Sequence, residues 1–293
     1  MAIILFLAIL LFLFLSYRIQ ITNYNIETSK IHSPLRIALI TDLHSCKYGE
    51  DEKPILEIID TEQPDIVLLG GDIYDDDLPI ETAADFIQAI AQKYPSFYVS
   101  GNHEYWSNQM DFMKDLTTKA GATVLEGNCL QFKKSNDTIN ICGIDDPTHI
   151  GLDSLKVQLE STMKFLDKGK YNILLAHRPE LVDIYAEYGF DLVTAGHAHG
   201  GQWRMPCLLE DGFYAPDQGF FPKYTGGIHQ KKETLMIVSR GLAKESTRLP
   251  RIFNRPEIVF INLLYFSEIV PAKKSPELSP RGFPTINKGE PYD

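Results

Sequence analysis

Four cysteines in 293 residues, with no C-x-x-C pair among them, are too few and too scattered for a disulfide-framed domain or a cysteine-held zinc site. Cys46, Cys129, Cys142 and Cys207 read as free thiols, a usage that fits a reducing compartment. Basic residues are also scarce: 28 Lys and Arg face 39 Asp and Glu, for a formal net charge of -11. Such a chain repels phosphate backbones in general, so nucleic-acid coating is not expected, and any phosphate it does bind must meet a local positive centre. The sequence has no glycine-rich phosphate loop, internal repeat or low-complexity block. With 44% apolar and 23% charged residues, it has the composition of a folded globular chain, and wholesale disorder is excluded.

The ends differ from the middle. Met1 to Ser16 is an apolar run without a charge, closed by Tyr17 and Arg18. Seventeen helical residues span about 25 Å, just enough for a bilayer core of about 30 Å. No Lys or Arg precedes the run and no small-x-small site follows before Tyr17, which favours an uncleaved transmembrane anchor over 1–18 above a removed signal peptide. The predicted location is the cell membrane, single-pass. Arg18, Lys30 and Arg36 follow the span but are too few to decide its side. At the other end, residues 266–293 hold five of the seventeen prolines and read as a flexible tail. The domain proper is expected over 35–264.

Within it, Leu35 to Thr41, Asp65 to Gly70, Ser96 to Gly101, Tyr171 to His177 and Asp191 to Gly196 are continuous apolar runs of the kind buried on both faces of a sheet. Helical patterns lie between them, over Lys53 to Thr61, Pro79 to Lys93, Asn108 to Ala120, Leu152 to Leu166 and Pro179 to Tyr188. This alternation predicts an α/β fold with a largely parallel sheet. Thr138 to Ile144, Thr234 to Gly241 and Glu257 to Leu264 lack intervening helices and are expected to form a second, mixed sheet.

Each strong strand ends in polar residues: Asp42-Leu-His44, Gly71-Asp72 with Asp75, Gly101-Asn102-His103-Glu104, His177, and Gly196-His197-Ala198-His199. In open α/β sheets ligands bind beyond the carboxyl ends of the strands, so five clusters in this position are expected to converge. Imidazole, carboxylate and amide oxygen suit borderline divalent ions such as Mn, Fe, Zn or Co. Seven donors exceed one tetrahedral ion and suit two ions sharing a carboxylate. Two divalent cations bring +4 while Asp42 and Asp72 return -2, so the pocket keeps about +2 inside an acidic protein. That excess attracts a phosphoryl group, and a hydroxide shared by two such ions is a nucleophile at neutral pH. His32, His149 and His229 fall outside the clusters and read as ordinary histidines.

The order Asp-x-His, Gly-Asp-x-x-Asp, Gly-Asn-His-Glu, His, Gly-His-x-His, with Asp42, Asp72 and Asn102 thirty residues apart, resembles the calcineurin-like metallophosphoesterases from about Leu35 to Leu264. His177-Arg-Pro-Glu180, the stretch from Gly196 to Pro206 and Val238 to Leu242 are similar to its membrane-associated bacterial YkuE-like branch, which in turn resembles hydrolases of UDP-diacylglucosamine. The resemblance implies a four-layer α/β/β/α sandwich of two mixed sheets flanked by helices. It also implies two divalent metal ions (Mn, Fe or Zn), the first held by Asp42, His44 and His199 and the second by Asn102, His177 and His197, with Asp72 bridging. His103 is implied to contact the phosphate and protonate the leaving oxygen, and Asp75 to orient a ligand or His103. Ala198 stands where relatives often carry Thr, which removes a hydroxyl but no ligand. The expected activity is phosphoester hydrolysis, leaning to a diester or pyrophosphate, on a phosphorylated small molecule or a lipid-linked envelope substrate. Arg178, Arg204 or Lys223 is expected to reach its oxygens, and Trp203, Phe220 and Phe221 to line an apolar groove beside the metals. A catalytically silent scaffold of the same fold is the alternative.

Overall fold

The structure, a computed structural model, describes residues 18–205, 207–244 and 251–267. The anchor expected over 1–18, apart from Arg18, and the tail expected over 266–293, apart from its first two residues, lie outside the described residues. Among the described residues no helix is long and apolar enough to cross a membrane.

The apolar runs become buried strands. In chain order these are β1 (Gln20–Thr28), β2 (Leu35–Ile40), β3 (Ile66–Gly70), β4 (Ser96–Val99), β5 (Thr123–Val124), β6 (Asn128–Lys134), β7 (Asp137–Gly143), β8 (Tyr171–Leu175) and β9 (Leu192–Ala195). There follow β10 (Tyr214–Ala215), β11 (Gly219–Phe220), β12 (Gly227–Lys231), β13 (Thr234–Val238) and β14 (Glu257–Tyr265). The helices are α1 (Lys53–Glu62), α2 (Ile80–Ala91), α3 (Asn102–Trp106), α4 (Met110–Lys119), α5 (Pro147–Thr162) and α6 (Val182–Tyr185). Pro54 sits in the first turn of α1, where no helical N–H partner is lost, and Asp146 caps α5 by accepting the Thr148 N–H. Gly151, at φ 76°, kinks α5 where a sequence reading would start it.

Two mixed six-stranded sheets result, ordered β1-β14-β2-β3-β4-β5 and β12-β13-β9-β8-β7-β6. Strands β2 to β5 run parallel, as do β7, β8, β9 and β13. One expectation is corrected here: β14 does not join the second sheet but pairs antiparallel with β2 in the first, and β8 and β9 belong to the second. Side chains on both faces of β14 are buried, with Ile258 and Phe260 in one cluster and Val259, Ile261 and Leu263 in another. A strand apolar on both faces fits the middle of either sheet, so its sequence does not choose. Strand β1, which precedes the expected domain start, adds in parallel to β14.

Alternate residues along the strands feed different cores, as period two requires. Ala38, Ile40, Val67 and Leu69 pack with Ile55 and Ile59 of α1, Phe86 and Ile90 of α2 and Met113 of α4. Ile37, Leu39 and Leu68 of the first sheet pack with Ile141, Ile173, Leu175 and Ile237 of the second. Leu174, Val193 and Met236 pack with Leu155 and Leu159 of α5 and Val182 of α6. The free-thiol reading is also corrected: Cys129 and Cys142 face each other across β6 and β7 and form a disulfide. Cys46 is buried and Cys207 exposed. Strand register, which spacing along the chain does not reveal, made the pair.

The start of β14 is held by charge. Arg240 donates to the buried Glu257 carboxylate from its guanidinium at 2.9 Å and from its backbone N–H at 3.0 Å. Burial pushes this carboxyl up, but the Arg240 charge together with the hydrogen bonds from Arg240 and Thr22 holds it below the usual range. A lowered carboxyl stabilises the fold above its unfolded value of about 4.3 and loses that contribution as pH falls. Arg240→Met leaves a buried carboxylate unpaired and is expected to lower stability by about 3 kcal/mol near neutral pH, with the deficit narrowing in acid; urea unfolding across pH measures it.

Candidate metal centre

The predicted clusters meet at the carboxyl ends of five strands, as the sheet order requires. Asp42 and His44 follow β2, Asp72 follows β3, Asn102 opens α3 just after β4, His177 follows β8, and His197 and His199 follow β9. All seven are buried. Asp42, His44, Asp72, His197 and His199 take left-handed backbone angles, with φ between 46° and 64°. Non-glycine residues adopt this conformation sparingly and at a cost, and such positions concentrate at functional sites. Space is equally tight around Asp42: a Cβ on Gly196, or on Gly241 at φ 71°, would stand 2.5 Å from its Oδ2.

The donor atoms gather without partners. Asp42 Oδ2, His44 Nε2, Asp72 Oδ2, Asn102 Oδ1, His177 Nε2, His197 Nδ1 and His199 Nδ1 are buried and have no hydrogen-bonding partner outside their own group, in which His177 Nε2 and Asp72 Oδ2 stand 3.0 Å apart. Buried polar atoms are almost always satisfied, so seven orphans in one place mark a missing positive partner. They fall into groups whose ligand atoms lie within 4.8 Å of one another: Asp42, His44 and His199; Asp72, His177 and His197; and Asp72 again with His44 and His103. Asp72 is thus common to both sides, and the residues present fit a pair of divalent ions. The electrostatics agree. Burial disfavours charge on His177, yet Asp72 at 3.0 Å more than offsets it and pushes the imidazole up to about 10. Burial, then the neighbouring His44, hold His199 well below the usual histidine range, neutral and able to ligate.

Outer partners fix the rings. His44 Nδ1 pairs with Asp75 Oδ2 at 2.9 Å, His177 Nδ1 with the Gly70 carbonyl at 2.9 Å, and His197 Nε2 with Asp217 Oδ2 at 2.9 Å. In each case the tied nitrogen carries the proton and the other turns its lone pair to the site. Asp75 therefore sits where a ligand-orienting carboxylate was expected. His103 is bound through Nδ1 to Asp76, lies 3.5 Å from Asp75 and donates its backbone N–H to Asp72 at 2.9 Å. Burial works against its charge, but Asp72 and Asp76 leave it raised. A pocket of about 360 Å³ opens above these groups, with Asp72, Asn102, His103, His197 and His199 in its lining together with Trp106 and Tyr214.

Three contributors were not assigned from sequence. Glu104, buried in the Gly-Asn-His-Glu motif, accepts the backbone N–H groups of Gly101, Asp72, Ile73 and Tyr74 at 2.8 to 3.2 Å. It ties the loop after β3 to the loop after β4; burial and Asp72 push it up to about 7. Asp76 stands in a run of three acidic residues, Asp75 to Asp77, which in sequence resembles a solvated turn. Asp217, from the turn between β10 and β11, had no local signal at all. Its hydrogen bond to His197, helped by Arg178, lowers it to about 2. Arg178 spends its guanidinium on Asp146, Thr148 and Asp217, and neither it, Arg204 nor Lys223 lines the pocket. Trp203 and Phe220 do line an adjoining apolar groove of about 300 Å³.

Residues 35–201, more than half of the chain, match the family model described as calcineurin-like phosphoesterase. The chain belongs to that family. It is similar to a metallophosphoesterase of Helicobacter pylori, 30% identical over 84% of this chain and 64% of the relative, so it spans a little under two thirds of that protein. It is similar too to metallophosphoesterase YkuE of Bacillus subtilis, 27% identical over 84% of this chain and 86% of the relative. Phosphodiesterase YaeI of Escherichia coli is 26% identical over 79% and 83%. These relatives agree with the expected metallophosphoesterase membership. Asp217 lies beyond the matched residues.

Two substitutions separate scaffold from site. Glu104→Gln halves the acceptor capacity facing four amide donors and is expected to lower stability by about 2 kcal/mol, read by urea unfolding. Asp217→Asn keeps the shape but loosens the His197 ring, and is expected to weaken Mn binding by about 10- to 100-fold in competition with a chelator, with the unfolding midpoint little changed.

Proposed function

We propose that this chain is a dinuclear metal-dependent hydrolase of phosphoesters. The carrying observation is the set of seven unpartnered, buried donor atoms facing one another beneath a pocket. Asp42, His44 and His199 would hold one divalent ion and Asn102, His177 and His197 the other, with Asp72 shared between them. When bound, two such ions activate the attacking water and stabilise charge that grows on phosphorus oxygens. The chain's own residues do the rest. Asp75, Gly70 and Asp217 aim the imidazoles, so the site needs no reorganisation as charge develops. His103, held at Nδ1 by Asp76, keeps Nε2 for the leaving oxygen and donates the proton there.

A diester or pyrophosphate is the favoured substrate, supported by the printed name of the YaeI relative. An envelope or lipid-linked molecule is favoured by the apolar run from Met1 to Ser16 and by the aromatic groove beside the pocket. The same run would place the protein at the cell membrane as a single-pass anchor. Three core clusters support the four-layer α/β/β/α sandwich: helix on sheet, sheet on sheet, and sheet on helix.

The test is turnover of bis(p-nitrophenyl) phosphate by full-length protein loaded in turn with Mn, Fe, Zn or Co. His103→Ala is expected to cut kcat by about 10²- to 10⁴-fold with metal content unchanged, whereas Asp72→Asn loses metal and activity together. Inactivity of the folded protein with all four metals would overturn the proposal.

A further inference from the structure

Soluble proteins seldom expose contiguous apolar patches, and large ones mark interaction sites. Here an exposed aromatic cluster adjoins the metal pocket on one side. Phe213 is the hub: it stacks on Trp203 at 5.9 Å between ring centroids and meets Phe220 at 5.2 Å and Phe221 at 5.6 Å. These side chains face solvent. Phe220 is 65% exposed, Phe221 71% and Leu208 of the same loop 80%, and Trp203, Met205 and Phe253 are exposed as well. The groove under Trp203 and Phe220 has an entirely apolar lining and shares Gln202 and Tyr214 with the metal pocket. Trp106, across the pocket, is also exposed. The large side chains of this rim are aromatic, Leu and Met, the types that settle at a bilayer interface.

The path of the chain brings the first described residues to the same side of the body as the rim. Trp203 pairs with Ile252 in an isolated bridge, and Arg204 N–H donates to the Ile252 carbonyl at 2.9 Å. From there four residues lead to the start of β14 in the first sheet. Phe253 lies on the rim; Asn254 donates to the carbonyls of His199 and Gln202. Arg255 donates to the carbonyls of Arg18 and Ile19 at 2.8 and 2.9 Å, and Pro256 accepts from Gln20. The parallel pairing of Gln20 with Glu257, and the antiparallel pairing of β14 with β2, put the beginning of β1 at the sheet end that carries Asp42. Arg18, which follows the charge-free stretch Met1 to Ser16 in the sequence, therefore lies at the rim's end of the sheets and not at the far end. A bilayer that takes up this stretch lies against the same face.

We propose that the rim formed by Trp203, Met205, Leu208, Phe220, Phe221 and Phe253 seats on a phospholipid bilayer surface, so that the metal pocket opens at the interface. The proposal does not depend on which reaction the pocket performs. It differs from a tether alone, because a tether leaves the rim in water.

The chain has two tryptophans, Trp106 and Trp203, both on this face, so its own fluorescence reports the contact. Full-length Trp106→Phe protein is reconstituted with vesicles of phosphatidylethanolamine and phosphatidylglycerol, with and without bromine high on the acyl chains. Trp203 emission is expected to shift to the blue and to lose about half its intensity to the brominated lipid, as for a side chain seated about 5–10 Å into the interface. Met205→Ser with Leu208→Ser, two exposed residues that line neither the metal pocket nor the groove, should reduce that quenching while leaving turnover of the soluble diester unchanged. Unquenched Trp203 on vesicle-bound protein overturns the proposal, whether light scattering then finds the rim against a second copy or it is covered by the chain's own apolar stretch. Quenching without any phosphoester hydrolysis would leave this inference standing and remove the reaction instead.

Discussion

Repulsion among buried lone pairs is the constraint on which the rest of this structure depends. Oxygen and nitrogen atoms that have left water without gaining a donor lose their solvation, and two of the groups involved are carboxylates. Such a cluster persists only with positive charge at its centre. The same physics appears twice. It explains why the imidazole beside Asp72 holds a proton so tightly, and it explains why divalent ions suit the space better than protons do. With divalent ions bound there, an acidic protein would carry a locally electropositive spot of the kind that attracts a phosphoryl group.

The fold keeps the repelling groups together by rigidity rather than by attraction among them. Five strands, buried on both faces, deliver their carboxyl ends to one line. Beyond them the backbone turns abruptly in left-handed conformations, and glycines at 196 and 241 let it approach Asp42 closely. Glu104 then gathers four amide donors from two loops onto one carboxylate. Local strain at the ligands is offset by burial in three cores, none of which touches solvent at its centre.

Much of this was legible in the chain. Residues just after an apolar run are read reliably, because strand polarity alone fixes where they go; Asp42, Asp72, Asn102, His177, His197 and His199 all follow that logic. What depends on pairing between distant segments was not legible. Strand β14 is apolar on both faces and could have entered either sheet. Cys129 and Cys142 became neighbours only through the register of β6 with β7. Strand β1, with polar residues on its outer face, resembles a linker until its partner is known. Asp217 reaches His197 from a turn twenty residues away, with nothing in its own surroundings to announce it, whereas Glu104 stood inside a noticed motif and lacked only an assigned role.

The parallel pairing of β1 with β14 has a practical side. Because β1 is the outermost strand of its sheet, trimming the protein back to Leu35, where the family match begins, would expose one whole edge of β14, a strand with an apolar interior that pairs with β1 over nine residues. An uncovered ladder of that length is a template for association with other chains. A soluble fragment intended for biochemistry should therefore start at or before Ile19, and insolubility of a shorter one would reflect the cut rather than the enzyme.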